Sequence, residues 1–366
     1  MSEGSPPLPE FAHKETKELR DRLPVVEVSN EVIWVNPEIQ APFDMKEGES
    51  TKLGVFISNE NQERSIGTAQ GHGRTGIFGK VIFEDVQGRH YRDVDAKGIG
   101  HVRYNSISGH SEASEFYDRT EGPYSSSNPG MLGLMDRSVA LKDASMAEEL
   151  LSHGVRTYRV IGITKLNELI AQSQDIFEGG RREEKISVTN AKQRQMINEA
   201  IDPVVEVRAF GTRARIQDKN EDGVLSDAIE LVRQELNLSP EQFQVKEFIH
   251  WYAETLGTNV GRLHKQKLTH GYLSEHNLTL DCRIVDLDSI KTEQEMPDLK
   301  HIPLHPADSK EILMVPKAQM PYVHDFLTAY ATLTSLDYSH VVDAVYEDAY
   351  RRALQEKDPP PLPKSV

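Results

Sequence analysis

The feature that most limits the fold is a long amphipathic helix predicted over residues 240–267. Its apolar residues recur every three or four positions, which places them on one helix face: Phe248, Tyr252, Leu256, Val260 and Leu263. Gly257 and Gly261 lie within this pattern and predict close packing against a neighbouring element. A helix of this length needs a core, and 37% apolar residues are enough to build one.

The elements on either side of this helix differ in type. The sequence before it is rich in predicted strands, at 53–58, 79–84, 91–96, 156–163 and 203–209. Predicted helices are at 136–153, 181–200, 226–236, 325–336 and 340–355. We therefore expect an α+β fold of two lobes with a cleft between them: a β-rich N-lobe at 1–205 and a helical C-lobe at 206–366. Residues 101–135 are rich in Ser, Gly, Asn and Tyr and predict a surface insertion.

Charge and cysteine content exclude several classes of protein. Forty-two basic and 58 acidic side chains give a net charge of −16, which would repel nucleic acid and anionic membranes. The single cysteine, Cys282, allows no intramolecular disulfide and no four-thiolate zinc site. The N-terminal residues show no secretion-signal pattern, so we expect a cytoplasmic protein. The sequence does not indicate an oligomeric state.

The segment THGYLSEHNLTLDCRIVDLDS carries a candidate metal site. Asn277 offers a carbonyl oxygen and Asp286 a carboxylate, the hard ligands that Mg²⁺ or Mn²⁺ takes together with phosphates. Protein kinases use an Asn and an Asp in this way, and their catalytic loop is H-R-D-x-x-x-x-N. In that frame His270 aligns with the histidine, but Tyr272 replaces the catalytic aspartate. The alternative is a hairpin with a buried histidine and an Asn–Asp pair at the surface.

A second group of residues is suited to binding phosphates. GHGRTGIFGKV (71–81) is glycine-rich and includes Arg74, and DVDAKGIG (93–100) places Lys97 before Gly98 and Gly100. A carboxylate has to orient such a lysine, and we expect Glu148, or its neighbour Glu149, in the following helix. In the order glycine loop, lysine, glutamate, Asn and Asp, these parts predict an ATP-binding, protein-kinase-like bilobal fold. Taken singly, they also fit a glycine hairpin and a solvated lysine.

These blocks resemble the selenoprotein O family, kinase-like proteins that transfer AMP from ATP to protein hydroxyls. GHGRTGIFGKV is similar to the family's G-D-G-R-A block, and DVDAKGIG to its L-Q-L-K-G-A-G block. AEELLSHGVRTYR (147–159) is similar to its S-E-A-M and L-G-I-P-T-T-R segment, and HGYLSEHN with VDLD to its H-G-V-M-N-T-D-N and I-D-Y-G. EVRAFGTRARIQD (206–218) matches more weakly. The resemblance covers roughly residues 60–290.

The resemblance implies a role for each matched residue. Lys97 and Glu148 would form the lysine–glutamate pair, and Asn277 and Asp286 would bind the metal. The phosphates of ATP would be contacted by Arg74 and Arg208, beside Gly98 and Gly100. ATP would be inverted relative to ordinary kinases, so that the α-phosphate is attacked and pyrophosphate leaves. The acceptor of AMP would be a protein hydroxyl or a small molecule.

The chain departs from the family pattern at three places. His276 replaces the aspartate that precedes the metal-binding asparagine, and a histidine can accept a proton near neutral pH. Asp288 replaces the glycine of D-Y-G, and the sequence beyond residue 295 does not match the family. Three alternatives therefore stay open beside AMP transfer: an inactive ATP-binding pseudokinase that acts as an interaction module, an adenylate-forming ligase, and a scaffold without nucleotide.

Overall fold

The computed structural model describes most of the chain in two compact units. It covers residues 21–39, 45–58, 64–68, 75–84, 89–100, 133–174, 181–194, 196–197, 199–292, 295, 320–336 and 342–356. Arg74, residues 101–132 of the predicted insertion and residues 357–366, which include the proline-rich sequence DPPPLPKSV, lie outside this range. The first unit is Met1–Ala144 with Arg159–Gly211, and the second is Ser145–Tyr158 with Thr212–Val366.

A nine-stranded antiparallel sheet is the centre of the first unit. The strands of this unit are β1 (Asp21–Glu27), β2 (Asn30–Val35), β3 (Val55–Ile57), β4 (Arg64–Thr68), β5 (Thr75–Glu84), β6 (His90–Lys97), β7 (Met135–Asp136), β8 (Arg159–Leu166), β9 (Glu168–Gln174), β10 (Arg181–Ser187) and β11 (Pro203–Phe210). The sheet order is β2-β8-β11-β6-β5-β4-β1-β3, with β7 on β11, while β9 and β10 form a separate ribbon. The predicted lobe boundary, 205/206, falls inside β11.

The two faces of β6 and β11 have opposite character. Side chains alternate between the faces of a strand, so Val94 and Ala96 share one face with Val205, Val207 and Ala209. That face joins the apolar core of the unit. The other face carries charged residues that are also buried, and it forms the candidate site described below.

Helices make up most of the described part of the second unit. The described helices are α1 (Arg137–Ser152), which continues from the first unit into the second, α2 (Val188–Gln193) in the first unit, and α3 (Val224–Glu235), α4 (Val245–Lys265), α5 (Met320–Thr334) and α6 (Val342–Gln355) in the second. Two short strands, β12 (Leu268–Thr269) and β13 (Lys291–Thr292), pair with each other. The predicted α+β class is confirmed. No helix among the described residues has the length and apolar character needed to cross a bilayer.

The helix predicted at 181–200 is wrong over most of its length. Residues 181–187 form β10, and α2 takes up only Val188–Gln193 of the predicted 181–200. Every residue of β10 pairs with one of β9, from Arg181 opposite Gln174 to Ser187 opposite Glu168. This hairpin pairing overrides the helix propensity of a charged segment.

The glycines of α4 lie against α6, which confirms the close packing predicted for them. A Cβ added at Gly257 would lie 2.3 Å from the backbone oxygen of Tyr346. At Gly261 it would lie 2.7 Å from Cβ of Ala353. The apolar face of α4 is buried along its length, with Tyr252, Leu256 and Leu263 inaccessible to solvent.

Gly257→Ala tests this packing through the sign of its effect on the free energy of unfolding. Glycine to alanine inside a helix normally stabilises by about 1 kcal/mol. We expect Gly257→Ala to lower the free energy of unfolding by about 1–3 kcal/mol instead, because the methyl group overpacks the contact with α6. Urea unfolding measures this, with Lys246→Ala at an exposed position of the same helix as the control. A stabilised Gly257→Ala protein would contradict the close approach.

Candidate functional site

Lys97 belongs to a buried charged cluster on one face of the first unit's sheet. It lies directly opposite Glu206 in the ladder between β6 and β11, and Asp95 lies opposite Arg208. These four side chains alternate in charge, and none belongs to a residue more than 4% exposed. Directly opposed strand residues are close enough for such pairs to interact.

Arg208, predicted to contact phosphates, is bound to Asp95. Its Nε donates to Oδ1 and its Nη2 to Oδ2 of Asp95, both at 2.9 Å. The guanidinium also lies over the ring of Phe210, 5.3 Å from the centroid. A phosphate contact by Arg208 would have to use its remaining donor atoms, and this role stays a prediction.

The carboxylate found beside Lys97 is Asp143 of α1. Lys97 Nζ lies 3.9 Å from Asp143 Oδ2, and both side chains are buried. Glu148, the predicted partner, follows five residues later in the same helix and is half-buried. The pairing of Lys97 with Glu148 stays a prediction.

Gly98 and Gly100, predicted to approach a phosphate, are buried and have positive φ angles of 95° and 106°. A Cβ at Gly98 would lie 2.5 Å from the backbone oxygen of Val204, and one at Gly100 would lie 2.3 Å from the ring of Phe56. Conformation and packing therefore require glycine at both positions. Their contact with a nucleotide stays a prediction.

The predicted metal ligands of the second unit lie next to each other across a short hairpin. The Val285 amide donates to the carbonyl oxygen of Asn277 at 3.1 Å, and Asp286 follows Val285. The Asn277 side chain is 6% exposed, and its Nδ2 donates to the Tyr272 carbonyl at 2.9 Å. That bond fixes which amide atom is the oxygen and keeps the oxygen for another partner.

Asp286 has a left-handed backbone, with φ 65° and ψ 51°, between the buried residues Val285 and Leu287. Aspartate tolerates this conformation better than most residues, and such conformations are common at functional sites. One carboxylate and one amide oxygen fit Mg²⁺, which binds few protein groups and completes its shell with water and phosphates. The described residues contain no cluster of three or more His, Cys, Asp or Glu that could hold a metal.

Asp325 of α5 anchors the start of the segment that carries the predicted metal ligands. Its Oδ2 accepts from the His270 amide at 2.8 Å and from Thr269 Oγ1 at 2.6 Å, and its Oδ1 accepts from the Gly271 amide at 2.7 Å. His264 Nε2 lies 3.1 Å from Oδ2. Burial raises the pKa of Asp325, but the hydrogen bond and charge of His264 outweigh it and hold the pKa below its usual value.

His270 is buried, as in the alternative of a plain hairpin: it is 1% exposed and its Nε2 lies 2.8 Å from the Val285 carbonyl oxygen. Asn277 is buried as well, whereas that alternative placed it at the surface. The two residues around the proton-acceptor position are open to solvent. His276 is exposed, and its amide donates to Ser274 Oγ at 3.3 Å. Tyr272, at the usual position of the kinase aspartate, is 56% exposed. Both side chains are therefore accessible from solvent.

A buried ionic network holds the tip of the hairpin. Arg283 is fully buried and donates to Asp281 Oδ2 at 2.6 Å and to the Thr157 carbonyl at 3.0 Å. Arg156 pairs with Glu235 at 2.5 Å. Burial raises the pKa of Asp281, but the charges of Arg283 and Arg156 outweigh this effect and lower it.

The hairpin is also tied to α4. Tyr252 donates to the Thr279 carbonyl at 2.8 Å, and Asn259 donates to the Cys282 carbonyl at 3.0 Å. Cys282 is fully buried, as expected for a small apolar residue, and burial raises the pKa of its thiol. The ligand-bearing segment is therefore fixed at both its start and its tip.

The sequence alone did not identify Asp143, Glu206 or Asp325. The alternation in DVDAK and EVRAF was a signal for the charged strand face, but no local pattern marks Asp325. A comparison with protein-family models and with curated proteins finds no match to this chain.

Asp325→Asn should destabilise the second unit by about 2–4 kcal/mol, because a buried charged acceptor of several hydrogen bonds is lost. The pKa of Asp325 is lowered in the fold, so its contribution is present above the usual aspartate pKa of about 3.9 and is lost as pH falls below it. Urea unfolding at pH 7 and pH 3 measures both effects. The difference in free energy of unfolding between the wild type and Asp325→Asn should be smaller at pH 3 than at pH 7. An equal difference at both pH values would contradict a stabilising role for the ionised Asp325 carboxylate. Asp348→Asn, in an exposed ion pair, is the control.

Proposed function

We propose that this chain is a Mg²⁺-dependent nucleotidyltransferase that moves AMP from ATP to a protein hydroxyl or another acceptor. The observation that carries the proposal is the hairpin that holds Asn277 and Asp286. These two hard oxygen ligands lie on opposite arms of a short hairpin, whose arms are joined by the hydrogen bond from the Val285 amide to the Asn277 carbonyl and by the bridge between Leu278 and Ile284. The anchor at Asp325 supports it, because a metal site needs ligands that are already positioned.

The proposed fold is that of a bilobal protein kinase. The order of elements supports it: a β-rich unit with a buried lysine at the end of a strand, then a mainly helical unit with the Asn–Asp hairpin. The similarity of the Lys97, Asn277 and Asp286 blocks to the selenoprotein O family supports AMP transfer over phosphate transfer.

Each residue of the proposed site has a defined part in the reaction. Asn277 and Asp286 would hold Mg²⁺, which neutralises charge on the phosphates, and Lys97 would contribute a further positive charge. The acceptor oxygen attacks the α-phosphorus, and the bond from that phosphorus to the oxygen bridging to the β-phosphate breaks. Pyrophosphate leaves with the bonding electrons. The proton of the acceptor passes to His276, whose exposure lets an acceptor reach it.

ATP labelled at the α- or γ-phosphate tests the proposal. We expect label on the acceptor, or on the protein itself, only from α-labelled ATP and only with Mg²⁺ or Mn²⁺. Asp286→Asn should reduce transfer about 100-fold or more, since it keeps a residue that tolerates the left-handed backbone and removes the metal-binding charge. Lys97→Ala should reduce it by a similar factor. Asp348→Asn and Lys246→Ala, which change exposed charges, are the matched controls.

Other outcomes identify the alternatives. Transfer from γ-labelled ATP alone would contradict AMP transfer and indicate a kinase. Exchange of labelled pyrophosphate into ATP without stable AMP transfer would indicate an adenylate-forming ligase. A melting temperature raised by Mg·ATP, without turnover above that of Asp286→Asn, would indicate a pseudokinase.

A further inference from the structure

Two carboxylates meet beside Lys97 in the buried charged cluster. Asp143 and Glu206 are fully buried, and no hydrogen bond from the described residues reaches any of their four carboxylate oxygens. Asp143 Oδ2 lies 3.9 Å from Lys97 Nζ, and Glu206 lies directly opposite Lys97 in the sheet. Buried carboxylates without hydrogen bonds are costly, so this arrangement needs a physical explanation.

The charges around Lys97 do not balance if every group is ionised. Arg208 forms a two-bond ion pair with Asp95, and its Nε lies 3.9 Å from Glu206 Oε2, a longer distance than to Asp95. Among the residues that the structure describes, Lys97 is then the cation shared by Asp143 and Glu206. A buried site with an excess negative charge takes up a proton, because desolvation and the second carboxylate both oppose ionisation.

We propose that Asp143 and Glu206 share one proton, with Glu206 as the neutral member, and that the ionised Asp143 is the positioning residue for the Lys97 ammonium. The part that concerns positioning rests on the proposed function, in which Lys97 acts on phosphates. The shared proton does not depend on that function. The side chains of Glu148 and Asp143 project from α1 in directions about 140° apart around the helix axis, because the two residues are five positions apart and successive helical residues are about 100° apart.

The surroundings of Glu206 favour its neutral form. Burial and the Asp143 carboxylate raise the pKa of Glu206 well above its usual value, and Arg208 and Lys97 offset this only in part. The residue opposite on β8 is the apolar Ile163. The proton belongs to the pair, because two strongly interacting carboxylates titrate together.

Glu206→Gln tests the shared proton by the sign of its effect on stability. Glutamine imitates the neutral acid and does not ionise. Because the folded-state pKa is raised, wild-type stability should fall as pH rises above the usual glutamate value of about 4.3. We therefore expect the melting temperature of Glu206→Gln, relative to that of the wild type, to increase by several degrees as pH rises from about 4.5 to neutral. This interval begins near the usual glutamate pKa of about 4.3, because the folded-state pKa of Glu206 lies above that value.

A melting temperature of Glu206→Gln that falls further below wild type as pH rises would mean that Glu206 is an ionised partner of Lys97. A difference that does not change with pH would mean that Glu206 does not take up a proton on folding. Either result would overturn the shared proton.

Asp143→Asn tests the positioning of Lys97. We expect at least a tenfold loss of kcat for AMP transfer at saturating Mg·ATP, a partial recovery in Asp143→Glu, and a smaller loss in Glu148→Gln. Lys142→Gln, an exposed neighbour of Asp143, is the control for folding and should stay within twofold of wild type. A loss in Glu148→Gln that exceeds the loss in Asp143→Asn would overturn the assignment. If the wild type transfers no AMP, the proposed function has failed, and the Glu206→Gln melting series still decides whether the proton is shared.

Discussion

The cost of removing charge from water shapes both units of this protein. Isolated buried ions are too costly to keep, so buried charges have to be paired, hydrogen-bonded or neutralised by a proton. Arg208 with Asp95 and Arg283 with Asp281 show the first two solutions, with bonds of 2.6–2.9 Å. Asp143 and Glu206 beside Lys97 receive no such bond from the residues that the structure describes, and the proposed shared proton resolves their excess charge.

Paired charges of this kind fix geometry more than they add stability. In the second unit, Asp325 holds the backbone at His270 and Gly271, while Arg283 and Tyr252 hold the tip of the hairpin. Between these anchors Asn277 and Asp286 lie on opposite arms of the hairpin, which is bridged at Leu278 and Ile284. Such preorganisation suits electrostatic catalysis of phosphoryl chemistry, in which positioning and charge neutralisation provide most of the rate.

Local sequence patterns were enough for much of the fold. The periodicity of α4 gave its apolar face and its two packed glycines, and the alternating run at 91–96 predicted the strand β6. Contacts between distant residues were not accessible in this way. Asp325 binds an amide 54 residues earlier, and β10 is a strand because β9 pairs with it. The choice between Asp143 and Glu148 depends on how α1 is rotated about its axis, which spacing alone does not give.

The central claim is that the hairpin of Asn277 and Asp286 binds the metal that accompanies ATP. The most direct measurement is anomalous X-ray diffraction from crystals grown with Mn²⁺ and a non-hydrolysable ATP analogue. We expect a manganese peak about 2.0–2.3 Å from an oxygen of Asp286 and from Oδ1 of Asn277, with phosphate oxygens completing the shell. Bound nucleotide whose manganese contacts neither residue would contradict it.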